Sequence, residues 1–359
     1  MSILKFDDYI KEFSLDTYFK KILFVTKDRR YSCIFGDISP EATEKCAKLF
    51  NRMFNWICWD EALLKRNVVV PDNQPVIWYG GAGIAYPKAD EFVEKYLNTK
   101  NMYNMPSCEK FSGNKVTFSK EFGDYDWHPK TCYDWREAAE GKVGFPFVAK
   151  ISNGHAGLGV KKFEEGEMTE EKNRFLLKKP KKTIEREYEL YCQCIDFDHE
   201  YRCILLRDEM FILNERVPDK RFDKGTIKTK GENDKMHFNY VVQDLEKVDQ
   251  SFKDEIKKIA TDILKKHDMR IWAIDVVLDK EGKAWVLEVN TEMGLGASKL
   301  CKYYQVVYED YYKQQLPDWW KKKMFEDIEK QTYEFTYKNA KEAIEYSKWP
   351  IDYKKILEG

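Results

Sequence analysis

Residues 271–290, IWAIDVVLDKEGKAWVLEVN, constrain the fold more than any other stretch of the chain. Two runs rich in β-branched and aromatic residues flank residues 279–283, whose Asp, Lys and Gly supply turn chemistry, so the segment reads as an antiparallel hairpin. Pairing Leu278 with Trp285 sets Asp275 opposite Glu288, and opposed residues have Cβ atoms roughly 4.5–5.5 Å apart. Asn290 lies two residues beyond Glu288 and shares its face. Like charges opposed on one sheet face repel. A cation between them resolves the conflict, and two carboxylates plus an amide oxygen are hard donors suited to Mg²⁺. A solvated outer face accounts for the same residues, and a one-residue slip in register would separate the pair.

A second constraint is FPFVAKISNGHAGLGV, residues 145–160. FPFVAKI reads as a strand that brings Lys150 to the edge of a loop carrying Gly154, Gly157 and Gly159. Glycines let backbone N–H groups approach phosphates closely, and a lysine adds a point charge. The spacing is neither G-x-x-x-x-G-K-[ST] nor the kinase pattern, and a plain hairpin turn would use the same glycines. YGGAGIAY, 79–86, lacks the G-x-G-x-x-G spacing and reads as a turn.

The rest of the chain frames these two elements. KKILFVT (20–26), a helix over 39–54 and QPVIWYG (74–80) alternate as a small α/β domain. EREYELYCQCI reads as one strand, and EYRCILLRDEMFILNERV as a hairpin turning near Arg207 and Asp208. Phe252, Ile256, Ile259, Ala260, Ile263 and Leu264 fall on one face of an amphipathic helix. With 61 Lys+Arg against 62 Asp+Glu, nothing draws the whole chain to nucleic acid or a membrane surface. No apolar run approaches the roughly 20 residues of a membrane helix. Asp7 and Asp8 stand where a signal peptide needs an apolar core. The nine cysteines have no regular spacing and read as thiols of a reducing, cytoplasmic compartment. The five dispersed histidines give no metal-ligand spacing.

Taken together, the glycine loop and the hairpin resemble the ATP-grasp superfamily of carboxylate–amine ligases, over roughly residues 111–300. GNKVTFSKEF, with Lys115 opening a helix, HPKTC (128–132), the strand YCQCID and the E-Y-R of 200–202 are similar to further parts of that pattern. The resemblance implies an α+β ATP-grasp fold, two α+β subdomains enclosing a nucleotide cleft, at residues 111–305. The lid would span about 140–190 and the central sheet about 190–305. A small α/β domain (1–110) would precede it and a helical extension (306–359) would follow.

The resemblance also implies ATP and Mg²⁺ as cofactors. Lys115, Lys150, Gly157 and Gly159 would meet the phosphates. Gln193, Cys194 and Ile195 would form the adenine hinge, with Glu200 also on the nucleotide. Asp275, Glu288 and Asn290 would hold the metal, and Arg202 and Arg216 would serve catalysis. The partners would be a small-molecule or peptide carboxylate and an amine acceptor, with no membrane or nucleic-acid partner. The loop NGHAGLGV is most similar to the branch of glutathione synthetase, ribosomal-protein glutamate ligases and synapsin. NTEMG is similar to the asparagine–threonine turn of D-alanine–D-alanine ligases. Those ligases carry an arginine where this chain has Ala273, which argues against D-alanine as substrate. Cys194 stands where many members have glutamate. The synapsin likeness leaves open a nucleotide-binding regulatory or scaffold protein without ligase activity, although the retained Asp–Glu–Asn set favours the ligase. For Arg202 a surface ion pair with Glu200 or a neighbour remains the competing role, and for Arg216 an exposed one. The basic stretch 218–235 reads equally as a loop closing over an anion or a solvated linker. As a nucleic-acid patch it lacks interleaved aromatics apart from Phe222.

Overall fold

In a computed structural model of the protein, the described residues are 22–26, 50, 53–59, 74–79, 87–154, 159–179, 182–218, 238–291, 293 and 297–316. The turn at 80–86, Gly157, most of the 39–54 helix, nearly all of the 218–235 stretch, and residues 317–359 with Trp319 and Trp320 lie outside them. The chain divides into two compact units. One comprises residues 1–81, 86–106 and 292–359, and the other residues 82–85 and 107–291.

The first unit is built on a parallel sheet. β1 (Ile22–Thr26) lies between β2 (Phe54–Cys58) and β3 (Val76–Tyr79), and β4 (Met102–Tyr103) extends the β3 edge. β1 is apolar at nearly every position and fully buried, as a parallel strand covered on both faces must be. Phe54, expected to end a helix, begins β2 instead. The apolar run MFNWICW carries no period to separate the two states, and pairing with β1 decides for strand. The helix Pro87–Tyr96 packs Ala89, Phe92 and Val93 against Leu23, Val25, Trp59 and Trp78. The helix Ala297–Tyr312 runs through residue 305 and buries Leu300, Tyr303, Tyr304 and Val307 in this same unit. Its Tyr304 meets Phe54 edge-on at 5.5 Å, and Tyr311 and Tyr312 pack edge to face at 4.8 Å.

The second unit holds two larger antiparallel sheets. The first has the order β5 (Thr131–Cys132), β10 (Leu190–Gln193), β6 (Phe147–Lys150), β7 (Val160–Phe163), and β8 (Arg174–Lys179) and β9 (Lys182–Glu187) form a separate hairpin. The single strand expected over EREYELYCQCI is thus two strands in two sheets. The chain breaks at Tyr188, whose N–H donates to the Asn173 carbonyl at 3.1 Å, and at Glu189, whose N–H donates to the Lys150 carbonyl at 3.0 Å. The strand also ends at Gln193, so Cys194 does not share a strand face with Cys192. No disulfide joins the cysteines among the described residues.

The other sheet has the order β13 (Phe238–Gln243), β12 (Glu209–Pro218), β11 (Phe197–Leu206), β14 (Ile271–Asp279), β15 (Ala284–Asn290). The β11–β12 hairpin turns at Arg207 and Asp208, where Arg207 adopts φ +54. The helix Gln250–Leu264, capped by Asp249, buries Phe252, Ile256, Ile259, Ala260 and Ile263. Phe252 meets Tyr201 at 5.5 Å, so the helix covers the face of β11 that carries the odd-numbered side chains. Glu200 and Arg202 therefore point to the opposite face.

His128, at the start of HPKTC, is 7% exposed, with Nδ1 2.7 Å from the Pro129 carbonyl. Burial, with the Lys150 ammonium nearby, pushes its pKa from 6.5 down to about 4, against the bond to Pro129. The unfolded chain takes up this proton first, so the stability that neutral His128 contributes is present above about pH 6.5 and is lost as pH falls toward 4. The loss between pH 7 and pH 5 amounts to roughly 2 kcal/mol. We expect His128→Gln to lack this part of the acid limb. Urea midpoints of both proteins at the two pH values check it, and equal losses would refute it.

Candidate active site

The hairpin expected at 271–290 is present, and Asp279 organises its turn. Asp279 Oδ1 accepts the N–H groups of Glu281 (3.1 Å) and Lys283 (2.8 Å), and Oδ2 accepts the Trp285 indole N–H at 2.7 Å. The expected pairing holds only in part. Leu278 pairs with Ala284, not with Trp285, yet Asp275 pairs with Glu288 and Ala273 with Asn290. A β-bulge at Leu287 reconciles the two registers. One extra residue in β15 shifts the pairing between the turn and the site, which is how bulges re-aim side chains. Without it Asp275 would face Leu287.

Four polar residues form a row across four strands. Asn214 on β12 pairs with Arg202 on β11, Arg202 with Asp275 on β14, and Asp275 with Glu288 on β15. All four share the face turned away from the helix Gln250–Leu264. Arg202 forks onto Asp275, with Nε to Oδ1 and Nη2 to Oδ2 both at 2.6 Å. Such bidentate pairs are the strongest of the charge-assisted hydrogen bonds. Lys115 Nζ lies 2.8 Å from Glu288 Oε2. The Asn290 carboxamide spans the carboxylates, with Nδ2 3.3 Å from both Asp275 Oδ2 and Glu288 Oε1. The like-charge repulsion expected between Asp275 and Glu288 is therefore offset within the protein, because each carboxylate has a cation of its own. The two titrate as a pair. Burial opposes both charges and lifts Asp275 to about 6 despite Arg202, while at Glu288 the Lys115 ammonium and Arg202 outweigh burial and hold the carboxyl low.

Lys115 also reaches the glycine loop. It opens the helix Lys115–Phe122, whose cap Asn114 accepts the N–H groups of Val116 and Thr117 at 3.0 Å each. Its Nζ donates to the Gly154 carbonyl at 2.7 Å, and its backbone N–H donates to the Ser152 carbonyl at 3.0 Å. Ser152 is held from the other side by Glu189 Oε2, which accepts its N–H at 3.0 Å and its hydroxyl at 2.6 Å. Glu189 is a loop anchor that sequence reasoning missed, since an exposed-looking glutamate between two strands carries no motif. Lys150 ends β6, half-buried. No hydrogen bond or ion pair engages its ammonium among the described residues. Burial raises the Cys192 thiol, and Lys150 and Lys115 act against that shift, so both ammonium groups lie near it.

Gly159 closes the loop. It sits at φ +70, where a Cβ would come within 2.4 Å of Ile151 Cγ1 and 2.5 Å of Cδ1, and its carbonyl accepts the Ile151 N–H at 3.0 Å. A β-branched residue there meets both a disfavoured backbone and an occupied space. Gly159→Val should therefore cost about 3 kcal/mol. A chemical-denaturation midpoint unchanged from wild type would contradict this.

Of the remaining candidates, Glu200 and Arg216 pair across β11 and β12 one row from Asn214 and Arg202. Arg202 takes Asp275 as partner, in place of the Glu200 pairing considered from sequence. Gln193 N–H donates to the Lys130 carbonyl at 2.8 Å and Cys194 N–H to the Pro146 carbonyl at 3.4 Å. The Gln193 Oε1 is buried without a partner among the described residues.

The fold compares with solved structures of low sequence identity. N5-carboxyaminoimidazole synthetase from Staphylococcus aureus matches 83% of this chain and 79% of its own at 11% identity, with a TM-score of 0.54. D-alanine–D-alanine ligase from Bacillus anthracis matches 89% of this chain and 99% of its own at 13% identity, with a TM-score of 0.51. A search of curated proteins gives no match. The fold is that of the ATP-grasp class, and with the family match that follows it makes the chain an ATP-dependent ligase of that class, as the sequence resemblance implied. Within that class the chain belongs to the family described as D-ala D-ala ligase C-terminus, whose model matches residues 114–309. The matching model is that of the ligases whose asparagine–threonine turn NTEMG resembles.

Proposed function

We propose that this protein joins a carboxylate to an amine through an acyl phosphate, using ATP and Mg²⁺, with an amino acid or peptide among its substrates. The observation that carries the proposal is Lys115. A single ammonium touches the glycine-loop carbonyl of Gly154 and the Glu288 carboxylate, so the residues suited to phosphates and those suited to a metal meet at one point.

Asp275, Glu288 and Asn290 fit Mg²⁺ as hard oxygen donors, their side chains converging within hydrogen-bond reach of one another. When bound, the ion would neutralise phosphate charge. The protein's own groups do the rest by position. Lys150 and Lys115 supply charge at the phosphates, and Gly154 and Gly159 let backbone come close. At the hinge, the N–H groups of Gln193 and Cys194 are already spent on Lys130 and Pro146. Adenine recognition therefore falls to the hinge carbonyls, Ile195 and the buried Gln193 Oε1. Arg202, whose planar fork suits a phosphoryl group, exchanges Asp275 for the transferred phosphoryl. The carboxylate takes that phosphoryl, the amine attacks the acyl carbon, and phosphate leaves. Such catalysis is chiefly orientation and electrostatic stabilisation.

ADP release with Mg-ATP should appear against one pool among amino acids, peptides and small carboxylic acids, and should need both a carboxylate and an amine. Release that no added substrate changes would count against a ligase. No helix among the described residues is long and apolar enough to cross a membrane.

A further inference from the structure

We propose that Asn214 binds the transferred phosphoryl group together with Arg202; this rests on the ligase reading above. Asn214 is 0% exposed, and neither its Oδ1 nor its Nδ2 has a hydrogen-bond partner among the described residues. A carboxamide offers two donors and an acceptor, and burying them unpaired is costly enough that native proteins rarely do it. Packing alone does not ask for it. The neighbouring Ile212 and Leu213 are apolar and equally enclosed.

Its place in the sheet gives the orphaned amide a use. Asn214 stands directly across the strand pair from Arg202, on the face that carries Asp275 and Glu288. In the protein as it stands, both ends of the Arg202 fork rest on Asp275. A phosphoryl group with its metal competes on both sides of that pair, since the metal draws Asp275 and the phosphoryl oxygens draw the guanidinium. Once Arg202 leaves Asp275, the Asn214 Oδ1 is the acceptor opposite it and steadies it. The Asn214 Nδ2 then donates to an oxygen of the same phosphoryl group. The amide is unpaired before the ligand arrives because both of its partners belong to the loaded state.

The test is Asn214→Leu, close in shape and apolar. Affinities for ADP and for ADP with aluminium fluoride, a mimic of the group in transfer, are measured with Mg²⁺ present. Wild type should bind the fluoride complex more tightly than ADP. The variant should bind ADP within about twofold of wild type and lose about tenfold or more on the fluoride complex, the worth of one hydrogen bond to a charged group. Its unliganded melting temperature should equal or exceed that of wild type, because no bond is lost. Retention of the full extra affinity overturns the proposal, as does a lowered melting temperature with both affinities falling together. The same holds for a wild type that does not favour the fluoride complex. If Asn214→Leu does not fold, Asn214→Ala must show the same selective loss. The ligase reading fails separately, on wild-type turnover with the substrate pools, whatever the variant does.

Discussion

Glu288→Gln is expected to abolish Mg-dependent ADP release and to lower the melting temperature by a few degrees. The activity loss follows from removing one charge of the donor set at constant shape. A catalytic metal supplies several kcal/mol of charge stabilisation, on the order of 10²- to 10³-fold in rate. The stability loss has a different origin. Repulsion from Asp275 alone would make the glutamine variant as stable as wild type or more so. Glu288 also holds the Lys115 ammonium at 2.8 Å, and a neutral amide holds it less well, so roughly 1 kcal/mol is lost. Melting and turnover measured on one preparation separate the roles. A destabilised variant with full activity would leave Glu288 as a strut for Lys115 and remove the metal site. Asn290→Asp keeps size and adds an oxygen donor, so it should shift the Mg²⁺ dependence more than the maximal rate.

Lys150→Met should show the complementary pattern. Its ammonium has no ion pair or hydrogen bond among the described residues, so its removal breaks no bond and lets a half-buried position become apolar. The melting temperature should stay level or rise. ATP affinity should fall about 10- to 100-fold, the range for one hydrogen bond between charged partners. Lys115→Met, in contrast, should lose both, since Lys115 also ties Gly154 to Glu288. Isothermal titration with ATP and thermal melts on the two variants make the comparison. If Lys150→Met binds ATP as wild type does, the phosphates do not lie against β6.

How much of this was legible in the chain depended on the distance over which each feature is decided. Short apolar runs marked β1 and β3, strands buried along their whole length, the turn near Arg207 and Asp208 marked the β11–β12 hairpin, and one buried face left a helical period over Gln250–Leu264. Asp275, Glu288 and Asn290 were legible as a group because one hairpin carries all three. The bulge shows in the folded strand's burial: Ala284 and Val286 are two apart, Val289 three further on, and the half-buried Leu287 and Glu288 fall between. β2 was hidden by an apolar run without a period. The ion pairs were out of reach because Lys115 and Glu288 lie far apart in sequence and meet only through the fold. Asn214 carries no signal in the sequence for a related reason. Within FILNERV nothing distinguishes it from an ordinary solvent-facing strand residue, and only the structure shows it enclosed and unpaired.

The pairing of every carboxylate in the row with a cation also governs how a nucleotide arrives. Lys115, Arg202, Asp275 and Glu288 cancel one another, so the row presents no strong field to an approaching polyanion. Fields of that kind speed encounter and weaken with added salt. A site that discharges its own row keeps the Lys150 ammonium as its long-range pull, so recruitment should depend on ionic strength no more steeply than one cation requires. The attraction of the row itself becomes available only at contact, when the ligand separates the pairs.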